Sequence, residues 1–209
     1  MVLHSFYFLL LSIIFILNRM KTLLSKGMTL FICLFISFSL YAGDKASFLK
    51  RQFTSSNGYK LNYRILYPLN YSPDKSYPVI LFLHGAGERG NDNEAQLVHG
   101  GNMFASYDNQ SKYPAIIIAP QCPEGESWAN YKHPKDNNNK REFPAAAGIT
   151  PAMSAVKEML DTYISKGIVD TKRIYVTGLS MGGMGTFDAV CRFPNFFAAA
   201  APICGGANL

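Results

Sequence analysis

The rhythm of apolar and polar positions changes several times along this chain, and each change predicts an element. From Leu61 to Tyr67 the pattern alternates, with Leu61, Tyr63, Ile65 and Tyr67 on one face, which is the period of a half-buried strand. Gln52 to Ser55 reads as a second strand, and Asn57-Gly58 between the two predicts a hairpin turn. Such a pair suits an antiparallel edge with one face packed and the other wet. The alternation then gives way to continuous apolar runs: Pro78 to Leu83, Ala115 to Ala119, the shorter Ile174 to Thr177, and Phe197 to Ala201. Runs apolar on both faces predict strands covered on both sides, as in a parallel sheet. Between two of them, Met153, Val156, Leu160, Tyr163 and Ile164 follow helical spacing, so a helix is expected over Pro151 to Lys166. Thr150-Pro151 supplies its cap and first residue, and Gly167 its stop. Strands alternating with helices predict an α/β fold, a mostly parallel sheet with helices on both faces built by right-handed crossovers.

Two stretches break this rhythm. Gly85 to Gln110 is long and polar, and one or two short helices at most are expected in it. Gln121 to Ile149 holds Trp128, His133 and the polar run Lys135 to Glu142, read as a solvated loop tip. Both begin where a parallel strand ends, the side on which open α/β sheets bind ligands.

The N-terminus follows other rules. Two apolar runs, Ser5 to Leu17 and Thr29 to Ala42, flank Asn18-Arg19-Met20-Lys21, and each is short for a bilayer span, which takes about 20 residues. Met20 to Ala42 reads as a secretory signal with a basic start (Lys21, Lys26), an apolar centre (Leu30 to Leu40) and small residues at Ala42-Gly43. Leu40 fits the cleavage site poorly. Residues 1–19 are expected to be an extension from a start codon placed too early, residues 20–42 the signal, and residues 43–209 one catalytic domain. A membrane anchor is the alternative for the two runs; either way the domain is exported. Cys33 lies inside the apolar run, which excludes a lipoprotein attachment site.

Of 209 residues, 48% are hydrophobic and 16% charged, an ordinary globular balance. The net charge of +6 comes down to +3 without Arg19, Lys21 and Lys26, too little and too scattered to predict nucleic-acid binding. Three cysteines remain (Cys122, Cys191, Cys204) with no CxxC pair, so no metal site is expected, and one disulfide with one free thiol is open. Nothing in the sequence sets an oligomeric state.

The chemistry concentrates at Gly178-Leu179-Ser180-Met181-Gly182-Gly183, a G-x-S-x-G pattern placed directly after a strand and before the helix-compatible run Met184 to Arg192. In a strand–turn–helix elbow the serine is strained and exposed, and small residues two before and two after it are needed because the turn is tight. Ser180 is therefore the candidate nucleophile, and the backbone N–H of Met181 a candidate oxyanion donor at a helix start. A second donor is expected on Ala86 within His84-Gly85-Ala86-Gly87, where Gly85 and Gly87 allow close approach; both glycines and Trp128 are candidate pocket residues. His84 is expected to bond within its loop, Trp128 to anchor a loop near the pocket, and Glu88 and Arg89 to pair locally. No cofactor is required.

These segments, His84-Gly85-Ala86-Gly87-Glu88-Arg89-Gly90, Ala119-Pro120-Gln121-Cys122-Pro123 with Trp128, and Gly178 to Gly183, together resemble the α/β-hydrolases of the phospholipase/carboxylesterase and dienelactone-hydrolase-like branch. The likeness is to exported esterases and peptidase-like proteins related to polyhydroxybutyrate depolymerases and feruloyl or acetylxylan esterases, and it covers Gln52 to Gly206. It implies a serine hydrolase acting on small or carbohydrate-linked esters. In that fold the triad runs Ser, acid, His. The histidines are His4, His84, His99 and His133, none after Ser180, and the one acid after it, Asp188, falls within the helix that starts at the elbow. The triad acid and histidine are therefore expected beyond Leu209, which would leave this chain inactive by itself; His99 or His133 as a substitute base is the weaker alternative. An inactive hydrolase-fold binding protein and a prolyl-oligopeptidase-type peptidase are the competing classes.

Overall fold

The computed structural model describes residues 45–131 and 147–206. The expectations for residues 1–42, His133, the run Lys135 to Glu142 and the end of the chain lie outside them.

Among the described residues six strands form one sheet: β1 (Leu49–Thr54), β2 (Lys60–Leu66), β3 (Tyr77–Leu83), β4 (Ile116–Pro120), β5 (Val169–Leu179) and β6 (Ala199–Ile203). Their order is β1-β2-β4-β3-β5-β6. β1 and β2 are antiparallel, β2 meets β4 antiparallel, and β4, β3, β5 and β6 run parallel. The hairpin after β1 closes over Ser55 to Tyr59, with Gly58 at φ 85 and its N–H donating to the Ser55 carbonyl at 2.9 Å. Asn57 assists by accepting from the Tyr59 N–H at 3.0 Å, and Glu158 receives the Ser56 N–H at 2.7 Å, tying the turn to the helix behind it.

That helix, α3 (Pro151–Ser165), begins where the sequence predicted. The Thr150 hydroxyl accepts from the Met153 N–H at 3.1 Å, Pro151 fills a position whose N–H would lack a partner, and Gly167 turns the chain away at φ 75. Its Met153, Val156, Met159, Leu160 and Tyr163 are buried against the face of the sheet formed by Val79, Leu81, Leu83, Ile116 and Ile118. The other face, with Phe82, Ile117 and Ala119, is covered by Phe48, Leu97 and Ala105. Strand alternation thus sends successive residues of one apolar run into two cores, the reason these strands carry no polar face.

Three expectations change. β2 was to keep one wet face, yet Arg64 and Leu66 are buried at 6% and 4% exposure. β2 lies inside the sheet, and the segment after β3 covers that face. Arg64 is satisfied there by the Phe48 and Asn93 carbonyls, both at 2.6 Å, and by an ion pair with Glu94. Gly85 to Gln110 folds into more than two helical pieces: single 3-10 turns at Ala86–Glu88 and Ala95–Leu97, then α1 (Gly101–Ala105) and α2 (Tyr107–Lys112). Its polarity is partly internal, because Asn93, Gln96 and Gln110 are buried and hydrogen-bonded. The helix after the elbow, α4 (Met181–Arg192), starts three residues before the expected Met184. Gly182 and Gly183 are poor helix formers, and only close packing makes them fit there.

Among the described residues Cys122, Cys191 and Cys204 are free thiols, so no disulfide joins them. Burial pushes the Cys122 thiol up to about 12, which keeps it protonated and unreactive at ordinary pH.

Candidate active site

β3 and β5 are adjacent and parallel, with Leu83 opposite Gly178, so both chains leave the sheet at the same end and side by side. The loop after β3 carries His84 to Gly90, and the turn after β5 carries Ser180. The sheet register therefore brings together two motifs nearly a hundred residues apart.

Ser180 sits at φ 54, ψ −111, a backbone conformation strained for a residue with a Cβ. It is exposed, and its hydroxyl has no hydrogen-bond partner among the described residues. Its N–H donates to the Ile203 carbonyl of β6 at 2.8 Å, and its carbonyl accepts from Met184 at 3.0 Å, so strand and helix hold the strain from both sides. Gly182 packs on the end of β3, where an added Cβ would run into the Leu83 carbonyl carbon at 2.5 Å and the His84 oxygen at 2.8 Å. A Cβ on Gly178 would meet the Gly182 and Leu83 carbonyl oxygens at 2.5 and 2.6 Å. The small residues two before and two after the serine are thus required by backbone contacts.

Gly85 is extended at φ −77, and Ala86 opens a 3-10 turn through Glu88. A Cβ on Gly85 would lie 2.9 Å from Glu88 Oε2 and 3.3 Å from the Leu179 side chain, which sets this loop directly beside the residue preceding Ser180. Ala86 and Met181 each occupy the first position of a helical turn, where N–H groups have no partner within the turn. Gly87 is exposed and open, with nothing among the described residues within 4 Å of an added Cβ.

His84 is 1% exposed. Its Nε2 accepts from the Cys122 N–H at 2.9 Å, so its Nδ1–H is the donor to the Gly85 carbonyl at 2.6 Å, and the ring is neutral. Burial holds its pKa below the ordinary 6.5, against smaller opposing effects of the Gly85 carbonyl and the Glu88 charge. The unfolded state therefore binds a proton that the folded state refuses, and the stability this histidine contributes is complete above about pH 6.5 and lost as pH falls below it. Thermal unfolding of wild type and His84→Asn between pH 5 and 8 should show a fall in midpoint at acid pH that the variant lacks. Equal slopes in both proteins would refute the assignment.

Trp128 was a candidate pocket residue, but it is 0% exposed and presents no surface to a ligand. Its indole N–H donates to the His84 carbonyl at 3.0 Å, its ring meets the His84 ring edge-on at 5.2 Å, and its Cβ is what excludes a side chain from Gly185. It acts as the anchor between α4 and the loop after β3. Glu88 and Arg89 hold the loop through separate partners rather than each other. Glu88 pairs with His99 at 3.4 Å, while Arg89 donates to the Ala86 carbonyl at 2.9 Å and to the Glu126 carbonyl at 3.1 Å. Beyond Arg89 lies a cavity of about 370 Å³ lined by Glu126, Ser127, Asn130 and Tyr131 among others.

Nothing in the sequence marks Gln121 as a site residue. It lies in the segment Ala119 to Pro123, and no local pattern distinguishes a glutamine that clamps a loop; the hydrogen bonds of its buried side-chain amide all go to residues 88–93.

Similar proteins carry the same architecture. A solved thermostable esterase superposes with a TM-score of 0.66 at 38% identity, over 78% of this chain and 42% of that one, and the fold is that of the α/β-hydrolases. Poly(3-hydroxyalkanoate) depolymerase C of Paucimonas lemoignei is 28% identical over 62% of this chain and 28% of its own length. Feruloyl esterase B of Neurospora crassa is 30% identical over 66% of this chain and 43% of its own. The chain thus spans less than half the length of each. Residues 54–208 match the sequence profile of the Esterase family, described as "Putative esterase", and the chain belongs to that family.

Proposed function

We propose that the full-length protein is an exported serine hydrolase of carboxylic esters, with Ser180 as its nucleophile. The observation that carries this reading is the strained, exposed Ser180 held between β5, α4 and β6 beside the Ala86 turn. A non-glycine residue is kept at a positive φ only where the surroundings over-determine it, and such strain clusters at reactive sites. Family membership supports the reaction class.

Ser180 Oγ attacks the ester carbonyl carbon as a base takes its proton. The carbonyl oxygen becomes an oxyanion, received by the N–H groups of Ala86 and Met181. Collapse breaks the ester C–O bond, and the alcohol leaves with the proton from the base. Water then adds to the acyl-serine in the same sequence and releases the acid. The base and its orienting acid are assigned to a histidine and a carboxylate beyond Leu209. The relatives' greater length supports this, as does β6: it edges a parallel sheet with Ala199 to Ala201 and Ile203 exposed, whereas parallel strands are ordinarily covered. Among the described histidines, His84 is spent on its loop and His99 faces Glu88. The substrate class proposed is an acyl group esterified to a carbohydrate or hydroxyacid chain, on the strength of the relatives' names: depolymerase, acetylxylan esterase and feruloyl esterase. Export is assigned to residues 20–42.

Labelling the full-length protein with a fluorophosphonate probe tests this reading. The adduct is expected on the peptide containing Ser180, with turnover of an acetylated or feruloylated sugar exceeding that of a peptide amide. No adduct at Ser180, as a binding protein would give, would overturn it; preferred amide cleavage would move the protein to the peptidases.

A further inference from the structure

We propose that Gln121 is a positioning residue for the oxyanion loop: from the end of β4 its buried side chain fixes the turn that presents the Ala86 N–H. The inference rests on the serine-hydrolase reading above and adds to it the part that sets the donor's place.

Gln121 is 1% exposed and follows β4 directly; its own N–H donates to the Asn62 carbonyl of β2 at 2.8 Å. Its Nε2 donates to the Glu88 carbonyl at 3.2 Å and to Asp92 Oδ1 at 2.7 Å, and its Oε1 accepts from the Asn93 N–H at 2.7 Å. The amide has one workable orientation: reversed, its oxygen would face a carbonyl and a carboxylate, and its nitrogen an N–H. The next residue completes the clamp. Cys122 donates its N–H to His84 Nε2 at 2.9 Å and accepts the Gly90 N–H at 3.0 Å. Two consecutive residues of one rigid strand end therefore grip the loop on both sides of Ala86, at His84 and at Glu88 to Asn93. Gly90 (φ 146) takes a conformation open to glycine alone, and Asn93 (φ 55) one that a residue with a Cβ keeps only where its surroundings hold it. The Glu88 carbonyl belongs to the same 3-10 turn as Ala86, so a shift at one end moves the donor at the other. A misplacement of about 1 Å in a catalytic group costs as much as 10²-fold in rate.

The test uses the full-length protein with Gln121→Leu, which removes all three bonds, and Gln121→Glu, which keeps the acceptor for Asn93 but loses both donors. Gly90→Ala strains the same loop from outside the core. Rates are normalised to sites titrated by fluorophosphonate, so unfolded protein does not count. The expected result is a fall in kcat of about 10- to 100-fold in both Gln121 variants, a loss in the same sense in Gly90→Ala, and KM within about 3-fold of wild type. Inhibition by a phenylboronic acid, whose serine adduct places an oxygen in the hole, should weaken by the same factor as kcat. Should the Gln121 variants not fold, the Gly90→Ala kcat and boronate constant decide alone. Wild-type kcat per titrated site, or kcat and KM changing together with boronate affinity intact, overturns the proposal while leaving Ser180 as nucleophile. Failure of wild type itself to react with the probe sinks the underlying reading instead.

Discussion

Replacing Ser180 with alanine in the full-length protein should lower ester hydrolysis by about 10⁶-fold, the loss expected when a triad nucleophile is removed and only binding and oxyanion stabilisation remain. The fold should survive, because the Ser180 hydroxyl has no partner among the described residues and the backbone bonds to Ile203 and Met184 do not involve it. Ser180→Gly separates function from strain. At φ 54, ψ −111 a Cβ is costly by about 1–3 kcal/mol, partly offset by the extra freedom glycine gives the unfolded chain. Ser180→Gly should therefore be as inactive as Ser180→Ala yet about 1 kcal/mol more stable, while the alanine variant, which keeps its Cβ, stays near wild type. Steady-state kinetics with thermal unfolding reads both. A glycine variant less stable than the alanine variant would mean that the elbow stores no strain, and residual activity above a few per cent would mean that another residue carries the reaction.

The second large effect is at Gly182. A methyl group there meets the Leu83 carbonyl carbon at 2.5 Å and the His84 oxygen at 2.8 Å, all backbone atoms fixed in the sheet and its first loop residue. Since neither partner can rotate away, α4 must lift from β3 or the loop must move, and both carry a proposed oxyanion donor. Gly182→Ala should cost about 3 kcal/mol or more and lower the unfolding midpoint by roughly 6–12 °C. It should also reduce kcat by at least about 10²-fold in the molecules that remain folded. Gly148→Ala is the control: among the described residues nothing lies within 4 Å of its added Cβ, so its stability should change by no more than about 0.5 kcal/mol. Similar behaviour of the two variants would remove close packing as the reason for glycine at 182.

Much of this is legible in the sequence. The switch from alternating to continuous apolar runs separated the antiparallel β1–β2 hairpin from the parallel strands, because the parallel strands fill both cores with apolar side chains whereas β2 buries Arg64 on one of its faces. Thr150, Pro151 and Gly167 bounded α3 because caps depend on local backbone groups. The elbow could be read from spacing because a strand, a tight turn and a helix start follow one another within a few residues, although the contacts that forbid a side chain at Gly182 come from Leu83 and His84 at the end of β3. Long-range packing, by contrast, left no local mark. That β2 runs inside the sheet with Arg64 buried, that Gly182 and Gly183 begin a helix despite their propensity, and that Trp128 lies under α4 rather than in a pocket all depend on which segment crosses which. The same holds for Gln121: a glutamine looks alike in a solvated loop and in a clamp. Sequence by itself determined the order of elements and the identity of the reactive serine candidate, since both follow from periodicity and turn chemistry within one segment. Only the tertiary structure decided how β3 and β5, lying side by side, bring the Ala86 loop to Ser180, because that proximity belongs to the sheet's register and to no single stretch of chain.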